Sequence, residues 1–95
     1  MLTFEWNRTK ARANALRHGV TFDEARSVFY DEQARQFFDE EHSESEDRFV
    51  MLGLSDRFRI LVVCHAASPK DEAIRIISAR KATRRERTSY LSYMR

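Results

Sequence analysis

The sequence predicts a small single-domain α+β protein with the element order β-α-α-β-β-β-β-α. Two capping boxes, Thr21 with Glu24 and Thr83 with Glu86, mark two helix starts, because each pair can satisfy free backbone amides there. In the second half, three β-rich runs follow one another at short spacing, which is typical of antiparallel strands. We therefore expect residues 1–95 to form one domain, in which helices pack against a mainly antiparallel sheet.

The first half of the chain predicts one strand and two helices. Residues 2–6 alternate apolar and polar side chains, which is the pattern of a half-buried strand. Asn7 is suited to cap a helix that runs to about residue 18, and Gly19 is suited to end it, because glycine readily adopts a left-handed conformation. The first capping box then opens a helix over residues 22–30.

The second half predicts four strands. They are expected at residues 34–39, 48–54, 58–65 and 73–81. A charged loop over residues 40–47 separates the first two, and Ser55 with Asp56 is a hairpin candidate. The only proline, Pro69, lies in the last predicted turn, over residues 66–72.

Residues 74–87, with the sequence IRIISARKATRRER, change from a predicted strand to a predicted helix. Alternation along the strand places Arg80 on the face of Ile74 and Ile76, with Lys81 on the opposite face. An apolar face of the sheet is therefore expected to end in a guanidinium group.

The closing helix is expected to run from the second capping box to the C-terminus. Three of its side chains can pack on the sheet: Tyr90, Leu91 and Met94. Its first turn or so also carries three arginines, which are Arg84, Arg85 and Arg87. Cations at a helix start oppose the helix dipole, so local stability does not explain them, whereas a polyanionic ligand would.

Charge is strongly polarised along the chain, although the net charge is only +2. Residues 31–47 contain eight acidic residues and one basic residue, a balance of −7, while residues 75–95 contain seven basic residues and one acidic residue, a balance of +6. This asymmetry indicates a basic face for nucleic acid or for an acidic partner. The alternative is two solvated charged faces.

Several classes of protein are not expected from the composition. A lone cysteine, Cys64, excludes a disulfide framework and favours a cytoplasmic location. The chain has no apolar run of membrane-spanning length and no exported leader pattern. Two glycines cannot make a phosphate-binding loop, and no paired cysteines or spaced histidines suggest a metal site, so no cofactor is expected.

Polar side chains at the ends of the predicted strands are the candidates for chemistry. Arg48 begins one strand, and His65 ends the next, on the same face as Arg59. Whether the two arginines face the same side depends on the strand register, which the sequence does not settle. His65 has two interpretations, a neutral hydrogen-bonded histidine or an acid or base.

Several motifs together resemble one protein family. They are FEW-x₃-K at residues 4–10, Asn14, Arg17-His18-Gly19-Val20, Phe22 with the acid-rich helix after it, and IISARKATRRER at residues 76–87. In these residues the chain resembles the BrnT family of bacterial ribonuclease toxins, which are similar in fold to RelE-type toxins. The likeness covers nearly the whole chain, and Arg17 replaces a lysine of the family pattern.

The resemblance implies a toxin that cleaves RNA without a metal. It also implies a co-encoded BrnA-like antitoxin, whose own DNA-binding domain represses the operon, so that operator DNA is contacted only through the antitoxin. Dimerisation of the antitoxin would give a 2:2 heterotetramer. The resemblance further implies a cleft of basic residues on the sheet and last helix, matched here by Arg48, Arg59, Arg80, Lys81 and Arg84.

Such cleavage is attack of a ribose 2′-hydroxyl on the adjacent phosphate, and it requires charge neutralisation and proton transfer. Arg80 and Arg48 are candidates to hold the phosphate, with Lys81 as a point charge. His65 or Glu46 is the candidate base. The predicted RNA-binding residues are Arg59, Arg84 and Arg87. The alternatives are a non-catalytic RNA- or DNA-binding module, which would use the same arginines, and an interaction protein that docks an acidic partner.

Overall fold

The chain follows the predicted order β-α-α-β-β-β-β-α in a computed structural model that describes residues 1–68 and 72–93. The strands are β1 (Phe4–Glu5), β2 (Arg35–Phe38), β3 (Arg48–Leu54), β4 (Ile60–Ser68) and β5 (Ala73–Lys81). The helices are α1 (Arg8–His18), α2 (Phe22–Ser27) and α3 (Arg84–Leu91), with 3₁₀ turns at Val28–Tyr30 and Glu40–His42. The sheet has the strand order β1-β5-β4-β3-β2, in which β1 is parallel to β5 and the other pairs are antiparallel.

The predicted N-caps are confirmed, but the predicted capping box of Thr21 and Glu24 is only half formed, because the Glu24 carboxylate binds Ser55 and Arg59 instead of the Thr21 N–H. Asn7 Oδ1 accepts a hydrogen bond from the N–H three residues later at 3.0 Å, and Thr21 Oγ1 does the same at 3.1 Å. Thr83 and Glu86 form both halves of a capping box at the start of α3. Gly19 ends α1 with a φ of 68°, the left-handed conformation that glycine adopts without a steric penalty.

Two boundaries in the first half of the chain differ from the prediction. β1 contains two residues instead of residues 2–6, because its pairing extends only to Ile74 and Arg75 of β5. α2 ends at Ser27, and a 3₁₀ turn continues to residue 30. The Ser27 hydroxyl donates to the Glu24 carbonyl at 2.6 Å, a local bond of the kind that bends helices.

β4 is displaced relative to its prediction of residues 58–65. Phe58 has a φ of 61°, outside the strand region, because the hairpin turn closes through a Phe58 N–H to Ser55 carbonyl bond of 3.0 Å. At its other end β4 continues through Ser68, so residues 66–68 belong to the strand and not to the predicted turn. Pro69 lies outside the described residues.

The end of α3 also differs from the prediction of a helix to the C-terminus. α3 ends at Leu91, where Ser92 follows as the C-cap. Tyr90 is buried as predicted, whereas Leu91 is 55% exposed. Met94 lies outside the described residues.

The two faces of the sheet are covered by different helices. α1 and α2 cover one face over a buried core of Val20, Phe22, Ala25, Val28, Leu61, Val63, Ile76 and Ala79. On the other face, Tyr90 of α3 packs on a smaller cluster with Leu52 and Val62. The Tyr90 hydroxyl donates to Asp31 Oδ2 at 2.5 Å and ties α3 to the loop before β2. Because α3 has only eight residues, it covers part of its face.

A β-bulge in β5 overturns the predicted orientation of Arg80. His65 pairs with Ile76, but the next residue back, Cys64, pairs with Ser78, so Ile77 is an extra residue. Beyond the bulge the alternation is reversed, and Arg80 pairs with Val62 on the α3 face. Arg80 and Ile76 therefore lie on opposite faces, contrary to the prediction of a shared face.

Asn14 of α1 closes one edge of the sheet. Its side-chain nitrogen donates to the Ala79 carbonyl at 2.8 Å, and its side-chain oxygen accepts from the Ala79 N–H at 3.1 Å. β1 pairs with β5 only as far as Arg75, so Asn14 satisfies backbone groups of β5 beyond that pairing. This pair of hydrogen bonds fixes α1 against the strand that carries Arg80.

No helix among residues 1–68 and 72–93 combines the length and the apolar character needed to cross a membrane.

Candidate functional site

The sheet surface beside α3 carries three arginines. The register places Arg48, Ala66 and Arg75 in one row, Val50, Cys64 and Ser78 in the next, and Leu52, Val62 and Arg80 in a third. Side chains that pair across neighbouring strands point to the same side of a sheet. We call this surface, with Arg48, Arg75 and Arg80, the arginine face.

Glu46 connects two of these arginines. Its carboxylate accepts a short hydrogen bond from Arg75, and its Oε1 lies 3.6 Å from Arg48 Nη2. The hydrogen bond from Arg75 is the main cause that lowers the pKa of Glu46, and the charge of Arg48 adds to it. Arg48 Nε is buried and has no hydrogen-bond partner among the described residues. The row thus contains an ionised carboxylate and an arginine with an unused donor.

Arg80 binds Glu86 at two points. Arg80 Nη1 donates to Glu86 Oε1 at 2.8 Å, and Nη2 donates to Oε2 at 2.9 Å. Glu86 Oε1 also accepts from the Thr83 N–H at 2.8 Å. These bonds, above all that from Arg80, lower the pKa of Glu86 to about 2. Both partners are charged at neutral pH, and the Arg80 side chain remains 42% exposed.

A groove separates α3 from strands β2 and β3. It has a volume of about 270 Å³ and is lined by Phe37, Val50, Leu52, Val62, Arg85, Glu86 and Ser89. We call it the α3 groove. Its floor belongs to the arginine face, and Glu86 joins it to Arg80. The arginine face and the α3 groove therefore form one continuous surface.

Lys81 lies opposite Arg80, but the β-bulge places it on the face of Ile76, contrary to the prediction that it faces away from Ile76. It pairs with Leu61 and lines a groove of about 420 Å³ together with Arg59, Arg87 and Phe58. Arg84 is exposed at the first position of α3. The basic residues after β5 thus surround the start of α3 instead of joining the row of Arg48.

Arg59 lies on the α1–α2 face and is engaged in a buried contact. It forms a short ion pair with Glu24, whose side chain is 2% exposed, and its Nη2 also donates to the Gly19 carbonyl at 2.9 Å. The bond from Arg59 lowers the pKa of Glu24. A buried carboxylate without this partner would be strongly destabilising. Arg59 and Arg48 therefore face opposite sides of the sheet. The sequence alone had left their relative facing open.

His65 is also on the α1–α2 face, so the structure does not bring it to the arginines. It is 5% exposed and packs between the rings of Phe29 and Phe49, with centroid distances of 4.8 and 5.8 Å. Burial lowers the pKa of His65 to about 4, so the ring is neutral at pH 7. These contacts favour a neutral, structural histidine, but the hydrogen bond predicted for it is not found at Nε2, which is buried without a partner among the described residues.

Sequence reasoning missed Arg75, Arg85 and Phe37 as parts of this surface. Arg75 and Arg48 lie in the same row because both pair with Ala66, on neighbouring strands. A single sequence does not reveal that register. Arg85 was available in the predicted arginine cluster of the last helix. Phe37 could have been noticed as an aromatic residue in the strand predicted at residues 34–39.

Within the described part of the chain, no three His, Cys, Asp or Glu side chains are grouped so that they could hold a metal ion. The donors on the arginine face are guanidinium groups, which match the paired oxygens of carboxylates and phosphates.

The fold and the arginine face define a small α+β protein whose surface is suited to anionic ligands. The family model described as "Ribonuclease toxin, BrnT, of type II toxin-antitoxin system" matches residues 6–86. The chain therefore belongs to the BrnT family of ribonuclease toxins, as its motifs predict.

A solved structure agrees with this assignment at the level of the fold. The chain is similar to the Brucella abortus ribonuclease toxin BrnT, with a TM-score of 0.66 and 22% sequence identity, over 88% of this chain and 100% of that one. No curated protein matches the chain in sequence. The predicted α+β fold and element order are confirmed.

Proposed function

We propose that this BrnT family member is an endoribonuclease that cleaves RNA without a metal, by attack of a 2′-hydroxyl on the adjacent phosphate. The observation that carries the proposal is the arginine face, where Arg48, Arg75 and Arg80 lie on one open sheet surface with the carboxylate of Glu46. Arginines can neutralise a phosphate and stabilise the charge that develops during its cleavage. A ribose hydroxyl as nucleophile makes the reaction selective for RNA.

Arg80 and Arg48 are the proposed phosphate ligands. A guanidinium group has five N–H donors, so Arg80 can hold Glu86 with two of them and still donate to a phosphate oxygen. The Arg48 side chain is 34% exposed, so its terminal nitrogens can donate to a phosphate oxygen. Arg75 holds Glu46 beside them.

Glu46 is the proposed general base. Of the two candidates from the sequence, Glu46 shares the arginine face, whereas His65 is 95% buried on the other face. The arginines keep Glu46 ionised, so it can accept the proton of the 2′-hydroxyl. A histidine role would require movement of Phe29 or Phe49, which pack against its ring.

Lys81, Arg84 and Arg87 are proposed to bind flanking phosphates of the RNA. They surround the start of α3, next to the arginine face, and Arg59 borders the same groove as Lys81. Exposed cations of this kind supply affinity that depends on salt and little on sequence. Their role is binding, and Lys81 can add a point charge.

We further propose that a co-encoded BrnA-like antitoxin neutralises the toxin in the cytoplasm. Membership of a type II toxin-antitoxin family implies an antitoxin partner. Dimerisation of that partner would give the 2:2 assembly, and contact with operator DNA would occur only through the antitoxin.

The experiment that tests the function is turnover with purified protein. Cleavage of a single-stranded RNA with 2′,3′-cyclic or 3′-phosphate ends supports the proposal. Stable RNA binding without any cleavage would instead support the second candidate, a non-catalytic RNA- or DNA-binding module, which the same arginines also favour.

A further inference from the structure

The α3 groove combines an apolar floor with an exposed aromatic ring. Val50, Leu52 and Val62 form its apolar floor, and Phe37 of β2 stands beside them. The Phe37 side chain is 43% exposed, although β2 leaves it next to Val50 in the sheet. An exposed aromatic ring beside an apolar floor provides a stacking surface, which nucleobases accept because every base has a π-face.

The charges around the groove favour an anionic occupant. Arg85 lines it, and Arg80 is the cross-strand neighbour of Val62 in its floor. The Arg35 guanidinium lies 5.3 Å from the centroid of the Phe37 ring and 3.5 Å from that of Tyr93. A ligand that combines a flat apolar ring with an attached negative charge matches a groove surrounded by arginines. A nucleotide in single-stranded RNA has both parts.

Glu86 supplies the groove with a hydrogen-bond acceptor. Its Oε1 accepts from Arg80 and from the Thr83 N–H, whereas its Oε2 accepts only from Arg80 among the described residues. Because a carboxylate oxygen has two lone pairs, Oε2 retains one acceptor position. An exocyclic amino group of adenine, cytosine or guanine can donate to it. Uracil has no amino group, and its carbonyl oxygens on both sides of N3–H would be repelled by the carboxylate.

We propose that the α3 groove is a nucleobase subsite that selects a base with an exocyclic amino group. The inference rests on the proposed ribonuclease function, since RNA is its occupant. The ring stacks on Phe37, the amino group donates to Glu86 Oε2, and the attached phosphate lies towards Arg80. The groove would then decide which nucleotide enters the cleavage site.

The neighbouring residues Phe37 and Phe38 provide a matched pair for the test. They are consecutive in β2, so their side chains point to opposite faces, and they are exposed to similar extents, 43% and 53%. Phe37→Leu removes a ring from the groove, whereas Phe38→Leu removes a ring from the other face. Phe37→Tyr retains a stacking ring and serves as the rescue variant.

The measurement uses single-stranded 2′-O-methyl pentamers of adenosine, cytidine or uridine, which lack the nucleophilic hydroxyl and report binding alone. We expect the wild-type protein to bind the adenosine and cytidine pentamers about tenfold more tightly than the uridine pentamer, as for one hydrogen bond to a charged group. Phe37→Leu should weaken adenosine binding about tenfold, in the range of one lost stacking contact. Phe38→Leu and Phe37→Tyr should bind as the wild type does.

Three binding results would overturn the subsite. The first is a wild-type affinity for the uridine pentamer equal to that for the adenosine and cytidine pentamers. The second is an equal loss of adenosine-pentamer affinity in Phe37→Leu and Phe38→Leu. The third is a Phe37→Leu variant that loses affinity only for the antitoxin. Cleavage of an RNA of mixed sequence tests the ribonuclease function separately from the nucleobase subsite. Selective pentamer binding without cleavage would contradict the ribonuclease and leave the subsite, whereas cleavage with an unchanged site pattern in Phe37→Leu would contradict the subsite alone.

Discussion

Arg80 and Glu86 form a two-point contact that joins the last strand to the last helix. Glu86 accepts from both Nη atoms of Arg80, at 2.8 and 2.9 Å, and its Oε1 also accepts the Thr83 N–H that caps α3. One carboxylate therefore both starts the helix and orients the guanidinium over the arginine face. The position of Arg80 is determined by the helix cap as well as by its own strand.

Arg80→Ala should abolish growth inhibition and lower RNA cleavage by about 10²–10³-fold, the usual effect of removing one donor that stabilises a developing charge. The fold should remain intact, because the Arg80–Glu86 pair is partly exposed and such pairs contribute about 0.2–1 kcal/mol. Arg80→Lys should retain part of the activity, since charge matters more than bulk. Arg12→Ala, an exposed arginine on α1, is the control. Cells that still arrest at equal levels of Arg80→Ala would remove Arg80 from the mechanism.

Glu46→Gln should slow cleavage by about 10²–10⁴-fold, the range typical of a lost proton-transfer group. The acidic limb of the pH–rate profile should disappear in Glu46→Gln, because the titrating carboxylate is gone. Since Arg75 and Arg48 lower the pKa of Glu46, that limb should lie below the range of an ordinary glutamate. Glu44→Gln, in the same loop and exposed, is the control. An unchanged profile in Glu46→Gln together with a changed one in His65→Gln would transfer the base role to His65.

Excess EDTA should leave RNA cleavage unchanged, because the proposed phosphate ligands are arginines. The products should carry 2′,3′-cyclic or 3′-phosphate ends, which mass spectrometry of a short RNA can identify. Loss of activity in EDTA, with recovery on addition of magnesium, would contradict metal independence.

The pH dependence of stability should show the burial of His65. Its pKa is lowered to about 4 in the folded chain, against about 6.5 when unfolded, so below pH 6.5 the unfolded chain binds more protons. The stability from neutral His65 is complete above pH 6.5 and is lost as the pH falls towards 4, by up to about 3 kcal/mol.

Urea unfolding at several pH values measures this loss. His65→Phe keeps an aromatic ring between Phe29 and Phe49 and should flatten the change between pH 6.5 and 4.5. Carboxylates with lowered pKa values, such as Glu24 and Glu86, lose their contributions at lower pH. A wild-type curve as flat as that of His65→Phe would show that His65 titrates normally.

The antitoxin should compete directly with RNA. We expect an acidic segment of it to cover Arg80, Lys81, Arg84 and Arg87, with apolar contacts to residues such as Tyr93, which is 57% exposed. Mixing the protein with the product of the neighbouring gene should give a complex of 2:2 mass that does not cleave RNA. A tight complex that still cleaves, or hydrogen-exchange protection confined to residues 31–47, would contradict this arrangement.

The fold was more predictable than the site because its signals are local. The N-caps at Thr21 and Thr83 act through neighbouring residues, and both helices start where the sequence predicts. The facing of Arg80 depends instead on an uninterrupted two-residue period, and the extra residue Ile77 reverses it. Neither a glycine nor a proline marks that bulge. Arg75 was not predicted as a site residue because its contact with Glu46 is not local and spans 29 residues of the chain.

Asn14 has a consequence for how the protein meets other chains. Its amide offers Ala79 the same donor and acceptor that a neighbouring peptide group would offer. Strand addition, by which sheets of separate molecules merge, is thus blocked at Ala79 of β5. A partner that approaches this edge at Ala79 has to bind through side chains, and copies of the protein cannot join there into a continuous sheet.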